Sequence, residues 1–185
     1  MSFATLETPR LILRRFADSD LASFRAYRND PLVARYQSWE TCSEQEAVDF
    51  INEQKELEVG TPGRWFQFAI ELKGEGTLIG DCSLKVDHGD ARQAEVGFTL
   101  AREQQGRGYA TEAVSRVLDY AFMSLGLHRV VAITDCENRA SAALLERLGM
   151  RREGHFIQNV WFKGRWGDEY LYAILREEWR RRRAV

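Results

Sequence analysis

The chain has 185 residues, 44% of them hydrophobic, and its 26 basic and 28 acidic residues leave a net charge of −2. A chain of this length can bury one sizeable core, so we expect a single domain over residues 1–185. The near-neutral charge gives no reason to expect nucleic-acid binding, and no apolar run approaches membrane-spanning length.

Cysteine usage and the N-terminal residues indicate the cellular compartment. Cys42, Cys82 and Cys136 are odd in number, far apart and without metal-ligand spacing, so we interpret them as free thiols in a reducing compartment. Met1–Glu7 lacks the basic region and apolar stretch of a secretory signal. We therefore expect a cytoplasmic protein without a metal site.

The chain opens with a short strand followed by a helix. Arg10–Phe16 is predicted as a strand, and Leu21–Arg28 as a helix for which Asp18–Asp20 offer N-cap side chains. The segment Asn29–Pro31 is expected to end that helix. These elements form the first strand and helix of the fold.

A second helix is predicted to begin after Thr41 or Ser43 and to run to about Val59. Seven acidic residues lie between Glu40 and Glu58 against one base, Lys55. They form either a solvated helical face or an acidic rim that attracts a cationic substrate.

Three strands are predicted to follow as an antiparallel meander. Trp65–Leu72 alternates between apolar and polar residues, and the turn Lys73–Gly76 leads into a second strand at Thr77–Val86. A further turn at Asp87–Asp90 precedes Glu95–Leu100, in which alternate residues are again apolar.

The segment Gln105–Ala113 lies where the sheet gives way to a helix. Upstream the apolar period is two, whereas apolar residues from Ala110 to Leu125 recur at the three-and-four spacing of an amphipathic helix. The first amides of a helix have no intrahelical acceptor and carry partial positive charge, so this segment can bind an anion. We interpret it as a pyrophosphate-binding loop, with an ordinary glycine turn as the alternative.

Two glycines make this loop suitable for a phosphate. Gly106 and Gly108 lack a Cβ, so the backbone can approach the ligand closely, and Arg107 can add a charge-assisted contact. A Walker loop needs Gly-Lys-Ser/Thr where Gly108 is followed by Tyr109, and a dinucleotide fingerprint needs Gly or Ala where Thr111 stands. Both of these phosphate loops are excluded.

The last third of the chain continues as strand, helix and hairpin. Val130–Thr134 is a buried strand that should lie parallel to its predecessor, and Asn138 can cap a helix through Leu148. Gly154–Phe162 and Asp168–Leu175 are predicted to pair as a hairpin. The tail Trp179–Arg183 is expected to be a frayed, solvated end, with a nucleic-acid or ribosome contact as the alternative.

Several of these segments together resemble the GNAT acetyltransferases, and within them the branch of the RimJ/RimL N-terminal acetyltransferases of ribosomal proteins. Gln105–Ala110 fits the pattern Q-x-x-G-x-A of that superfamily. The other resembling segments are Leu6–Arg14 (opening strand), Ala94–Phe98 (central strand), Gly106–Ala113 (cofactor loop), Asn138–Ser141 with Leu148–Met150 (later helix) and Arg165–Asp168 with Leu171 (terminal hairpin).

The resemblance implies an α/β fold of the α+β type. It has a mixed, mostly antiparallel sheet of about six or seven strands, flanked by helices and splayed between its fourth and fifth strands. It also implies acetyl transfer from acetyl-CoA to an amine, with no metal, and backbone amides of residues 107–111 holding the pyrophosphate. The cofactor-binding residues that it implies are Phe98, Thr99, Leu100, Gln105, Gly106, Arg107, Gly108, Tyr109, Ala110, Thr111 and Asn138.

Two side chains are candidates for the chemistry. Glu95 is predicted to act as general base or to orient the amine, and the alternative is a half-exposed strand glutamate in a salt bridge. The superfamily often has a tyrosine acid where this chain has Leu145, and an acidic residue where it has Ile133. The RimJ/RimL branch instead places a serine at Ser141 to protonate or stabilise the leaving thiolate, although a serine in a first helical turn needs no function.

The acceptor is left open by the sequence. An α-amine of pKa near 7.8 is about 14% neutral at pH 7, whereas a lysine amine is only about 0.04% neutral and needs a true base. A peptide N-terminus, a small amine such as a polyamine or aminoglycoside, and a silent acetyl-CoA-binding protein all fit. Asp81 and Asp135 could orient an amine or make structural hydrogen bonds. The four tryptophans that could line an acceptor pocket, or pack in the core or in a homodimer interface of the terminal hairpin, are Trp39, Trp65, Trp161 and Trp166.

Overall fold

A computed structural model describes residues 5–184, so both ends of the expected domain lie outside the described part. It contains one mixed sheet of eight strands. The strands are β1 (Leu6–Glu7), β2 (Leu11–Arg14), β3 (Trp65–Leu72), β4 (Thr77–Val86), β5 (Gln93–Leu100), β6 (Arg129–Asp135), β7 (Arg151–Phe162) and β8 (Arg165–Leu175). Their spatial order is β1-β2-β3-β4-β5-β6-β8-β7, and only the β5–β6 pair is parallel. The fold class predicted from the sequence is confirmed, with eight strands in place of six or seven.

Helices flank this sheet. They are α1 (Leu21–Arg28), α2 (Pro31–Ala34), α3 (Glu44–Glu56), α4 (Tyr109–Asp119), α5 (Arg139–Arg147) and α6 (Arg176–Arg183). A π-helical turn at Tyr120–Ser124 continues α4 toward the predicted end of that helix. Between residues 5 and 184 no helix is both long enough and apolar enough to cross a membrane.

The parallel pair β5–β6 opens the sheet. The two strands pair only from Gln93 with Arg129 to Glu95 with Val131, after which they diverge. β6 then follows β8 along its whole length, so the second half of β5 has β4 as its one neighbour in the sheet. The splay expected between the fourth and fifth predicted strands is therefore present, and it forms a cleft.

The core fixes the position of this cleft from both sides. On one face α4 buries Ala113, Val114, Val117 and Leu118 against the sheet. On the other face α1 and α3 pack over the sheet through a second cluster that includes Phe24. Burying a large apolar side chain contributes about 1.5–3 kcal/mol, so α4 holds one face of the sheet at β5, while α1 and α3 hold the other face at β3 and β4.

Helix α3 begins at a reciprocal N-cap. Ser43 Oγ accepts from the amide of Glu46 at 3.3 Å, and Glu46 Oε2 accepts from the amide of Ser43 at 2.8 Å. This capping box decides between the two predicted starts. The prediction for α1 is wrong in one respect, because the carboxylate of Asp20 does not cap that helix but binds the guanidinium of Arg14 at 2.7 and 2.8 Å.

The C-terminal tail is a docked helix, so the expectation of a frayed end is wrong, although Arg180–Arg183 are exposed to solvent as expected. Trp179 is 2% exposed, and its Nε1 donates to Asp119 Oδ1 at 2.8 Å. Arg183 binds the other oxygen of Asp119 at 2.9 Å, and Arg182 donates to the carbonyl of Arg147 at 2.6 Å. One buried tryptophan thus anchors a segment that otherwise consists of charged residues.

The terminal hairpin closes through a two-residue turn. Lys163 and Gly164 both have positive φ, 48° and 80°, so β8 starts at Arg165 and not at Asp168. Lys163 Nζ donates to the carbonyl of Ala34 at 2.6 Å, which fastens the hairpin tip to α2.

Candidate active site

The cleft between β5 and β6 contains two adjoining cavities. A cavity of about 360 Å³ runs from Leu100 to the loop before α4, and one of about 150 Å³ lies between the diverging strands. Phe98, Asn138 and Ser141 line both cavities. The cleft is therefore continuous from the glycine loop to the centre of the sheet.

The glycine loop forms one end of the longer cavity. Gly106 and Gly108 have φ of +74° and +81°, a conformation that favours glycine, and Gly108 is the N-cap of α4. The first backbone hydrogen bond of α4 runs from the amide of Glu112 to the carbonyl of Gly108, so the amides before Glu112 have no acceptor within the helix and can face a ligand. Gln105 Nε2 donates to the carbonyl of Leu100 at 3.1 Å, which ties the loop to the end of β5.

A charged clamp holds the loop from outside the cavity. Glu112 accepts from Thr8 Oγ1 at 2.6 Å and from the amide and Nε of Arg10 at 2.9 and 2.6 Å. Arg10 also donates to the carbonyl of Arg107 at 3.0 Å and lies 4.5 Å from the ring centre of Tyr109. Burial opposes ionisation of Glu112, but these hydrogen bonds outweigh it and lower the pKa of its carboxyl. The sequence offered no signal for this contact.

Ser141 and Asn138 lie at the junction of the two cavities. Asn138 Oδ1 accepts from the amide of Ser141 at 3.1 Å, so Asn138 caps α5. Among residues 5–184 no group hydrogen-bonds to Ser141 Oγ, which leaves the hydroxyl available to a ligand. Leu145, one turn further along α5, is buried in the wall of the smaller cavity.

Glu95 lies outside this junction. Its carboxylate pairs with Lys85 Nζ at 3.0 Å across β4 and β5, and it lines a separate depression with Asp87 and Val131. This is the arrangement of the salt-bridge alternative, and the catalytic role of Glu95 stays a prediction.

Two other carboxylates line the smaller cavity, which Ser141 also lines. Asp135 on β6 and Glu169 on β8 are register partners. Asp135 accepts from the amide of Glu137 at 2.7 Å, and Glu169 accepts from Asn159 Nδ2 at 2.6 Å. The sequence singled out Asp135 but not Glu169, because the pairing of distant strands carries no local signal.

The remaining predicted cofactor residues divide between the two faces of β5. Phe98 and Leu100 line the longer cavity, whereas Thr99 is buried on the opposite face across from Asp81. The side chain of Arg107 is exposed and does not line that cavity. The other predicted residues along its wall are Gln105, Gly106, Gly108, Tyr109, Ala110, Thr111 and Asn138.

Arg147 was missed by sequence reasoning. It lines the longer cavity from α5, and its Nη1 donates to Thr111 Oγ1 at 3.4 Å. It therefore adds a positive charge beside the loop amides, where an anion would bind.

A splayed mixed sheet whose cleft ends at a glycine loop and a helix N-terminus is the arrangement that the resemblance to the GNAT acetyltransferases implies, and its helix end can bind an anion. Residues 10–151 match the family model described as the acetyltransferase (GNAT) domain, and the chain belongs to that family. It is an N-acetyltransferase whose co-substrate is acetyl-CoA. In the described part of the chain no three His, Cys, Asp or Glu side chains are grouped to hold a metal.

Similar proteins include enzymes named for different acceptors. The uncharacterized N-acetyltransferase YnaD of Bacillus subtilis is 34% identical over 94% of this chain and 98% of its own. The [ribosomal protein uS5]-alanine N-acetyltransferase of Escherichia coli is 27% identical over 94% and 92%. The structure of spermidine N-acetyltransferase from Vibrio cholerae, in complex with CoA and spermine, has a TM-score of 0.79 at 26% identity over 93% and 99%.

Proposed function

We propose that this enzyme acetylates the α-amine of a protein or peptide N-terminus, as the RimJ/RimL branch does, by direct attack of the amine on the thioester. The observation that carries the proposal is the continuous cleft whose two cavities meet at Phe98, Asn138 and Ser141. The longer cavity is the donor side and the shorter one the side of the reacting amine. The likeness to the ribosomal-protein acetyltransferase supports the same acceptor class.

The donor contacts follow from the walls of the longer cavity. Backbone amides of residues 107–111, with Arg147 beside them, are assigned to the pyrophosphate. Phe98, Leu100 and Asn138 are assigned to the pantetheine arm. The bound thioester supplies the acyl group, and a backbone N–H at the end of β5 polarises its carbonyl.

The leaving group and the amine need separate protein groups. Ser141 is assigned to the departing thiolate, because its hydroxyl lies at the junction of the cavities and no described residue hydrogen-bonds to it. The carboxylate that we assign to the amine is Glu169, since it lines the smaller cavity together with Ser141. The sequence alone assigns this role to Glu95. An α-amine is already partly neutral at pH 7, so a carboxylate that mainly orients it is sufficient.

Exchanging Glu169 for glutamine is expected to lower kcat/KM for a peptide acceptor about tenfold, less than the 10²–10⁴ of a full acid–base group, because the carboxylate mainly orients the amine. The matched variant is Glu95→Gln, which breaks the ion pair with Lys85. Glu95 does not line either of the two cavities that meet at Ser141. Initial rates of thiol release at several peptide concentrations measure both. A larger loss in Glu95→Gln would return the assignment to Glu95.

Small amines are the second candidate class of acceptor. The structural likeness to a spermidine acetyltransferase supports them, and so does the acidic stretch from Glu40 to Glu58. A third candidate, a silent acetyl-CoA-binding protein, is suggested by Leu145 and Ile133 in place of the usual acid and carboxylate.

An acceptor screen tests the proposal directly. Purified enzyme and acetyl-CoA are mixed with short peptides that have free N-termini, with the same peptides blocked at the N-terminus, and with spermidine and an aminoglycoside. We expect thiol release with the free peptides alone, and mass spectrometry should locate the acetyl group on the α-amine. Turnover of spermidine alone would favour the small-amine class, and binding of acetyl-CoA without turnover the silent binder.

A further inference from the structure

A third cavity opens on the opposite side of β5 from the longer cavity. It measures about 600 Å³ and shares Gly97 and Phe98 with the smaller cavity of the cleft. We call it the acceptor pocket. Its walls include the aromatic side chains Trp39, Phe50 and Trp65, the polar side chains Arg28, Gln67, Asp81 and Ser83, and Glu53, which is ion-paired with Arg64.

Arg28 is an unusual cation in this pocket. Its guanidinium lies 3.6 Å from the ring centre of Trp39 and 4.7 Å from that of Phe24, and its side chain is 11% exposed. Its ion pair with Asp81 is long, with 3.9 Å between Nη2 and Oδ2, and its side chain also hydrogen-bonds to Tyr27. Its Nε has no hydrogen-bond partner among residues 5–184. A guanidinium has five N–H donors, so the contacts with Tyr27 and Asp81 leave part of its hydrogen-bonding capacity unused.

Asp81 holds Arg28 in place without saturating it. Asp81 is 3% exposed, and its Oδ2 accepts from Tyr27 Oη at 2.5 Å. Burial raises the pKa of Asp81, although the charge of Arg28 opposes this shift. One buried carboxylate oxygen is therefore shared between a tyrosine and an arginine.

Gly97 leaves space beside Ser83 in the wall of the acceptor pocket. It lies opposite Ser83 in the β4–β5 register, and a Cβ at Gly97 would lie 2.7 Å from Ser83 Oγ. The acceptor pocket and the smaller cavity of the cleft have Gln37, Gly97 and Phe98 in common as wall residues. A group bound in the acceptor pocket is thus next to an amine that reacts beside Phe98.

We propose that Arg28 is a specificity-determining residue that binds the carbonyl oxygen adjacent to the reacting α-amine. A partly compensated guanidinium between aromatic rings suits a neutral or anionic oxygen and disfavours a second ammonium. The pocket therefore selects α-amino carbonyl acceptors, of which a peptide N-terminus is the general case, over polyamines. This inference rests on the proposed acetylation of α-amines and names the residue that distinguishes them.

The wild-type enzyme provides the first test. Leucinamide and 3-methylbutylamine differ only in the carboxamide, so their rates, compared per neutral amine, report the value of the carbonyl. We expect leucinamide to react at least tenfold faster in kcat/KM, as for a site built to hydrogen-bond a substrate group. Equal values, or no turnover of leucinamide and free peptides, would overturn the inference.

Substitution of Arg28 provides the second test. Arg28→Met keeps an apolar stem against Trp39 but removes the donors, and should raise the peptide KM about tenfold while the acetyl-CoA KM and the 3-methylbutylamine KM stay within about twofold. Arg28→Lys, which keeps the charge, should recover part of the loss. A purely structural role would change all three constants and the melting temperature together, which would contradict the inference.

The two levels of the proposal fail differently. If free peptides are acetylated at wild-type efficiency by Arg28→Met, the role of Arg28 is wrong and the peptide N-terminal acceptor stands. If the wild type acetylates only polyamines, both are wrong. If Arg28→Met does not fold, the peptide KM of Arg28→Lys, together with the comparison of leucinamide and 3-methylbutylamine in the wild type, decides instead, and an unchanged peptide KM in Arg28→Lys would contradict the role of Arg28.

Discussion

Replacing Ser141 with alanine is expected to lower kcat about a hundredfold while the KM for acetyl-CoA stays within about twofold. The hydroxyl lies where the two cavities of the cleft meet, and no protein group between residues 5 and 184 hydrogen-bonds to it. A positioned proton donor contributes about 10²–10⁴ in rate, and a serine of ordinary acidity belongs at the lower end. Steady-state thiol release with a saturating peptide measures the effect.

The substitution should spare the fold. Asn138 caps α5 through the amide of Ser141, and alanine keeps that amide. Alanine is also the better helix former. Ser115→Ala on α4 is the matched control, because Ser115 is half-buried but does not line the two cavities of the cleft. Wild-type kcat in Ser141→Ala would remove the assignment, and a similar loss in Ser115→Ala would indicate a structural effect.

Local periodicity predicted the parts of the fold that depend on neighbouring residues. The strands Trp65–Leu72 and Thr77–Val86 have the predicted bounds, because the pleat sets the apolar alternation of the first and the glycine turn at Lys73–Gly76 marks the start of the second. The position of the glycine loop was also predicted, since it follows from a change of period from two to three and four. The docked tail was not, because one tryptophan among arginines gives no periodic signal.

The site depends on contacts that no local pattern contains. Alternation placed Glu95 on a face of β5, but its ion pair with Lys85 follows from the register with β4. The contact between Tyr27 and Asp81 joins residues 54 positions apart, and the pairing of Asp135 with Glu169 joins strands on either side of α5. Glycine spacing therefore identifies the donor, whereas the acceptor pocket needs the tertiary structure.

Replacing Gly80 with alanine is expected to destabilise the protein by about 3 kcal/mol or more, the upper range for overpacking. Gly80 lies on β4 opposite Leu100, and an added Cβ would lie 2.2 Å from the carbonyl oxygen of Thr99 and 2.9 Å from Leu100 Cα. These are backbone atoms, so no side-chain rotation can relieve the overlap. Urea denaturation measures the free energy of unfolding.

Gly74→Ala separates this overlap from the cost of an unusual backbone. Gly74 has φ of +85° in an exposed turn, and an added Cβ there would meet nothing within 4 Å, so only about 1–2 kcal/mol of conformational cost is expected. Gly80→Ala must instead separate β4 from β5 at the end of β5 that carries Phe98 and Leu100. We therefore expect the Gly80 variant, but not the Gly74 variant, to bind acetyl-CoA more weakly while still folded. Equal losses of stability in both would show that β4 and β5 can move apart freely, which would contradict a rigid donor wall.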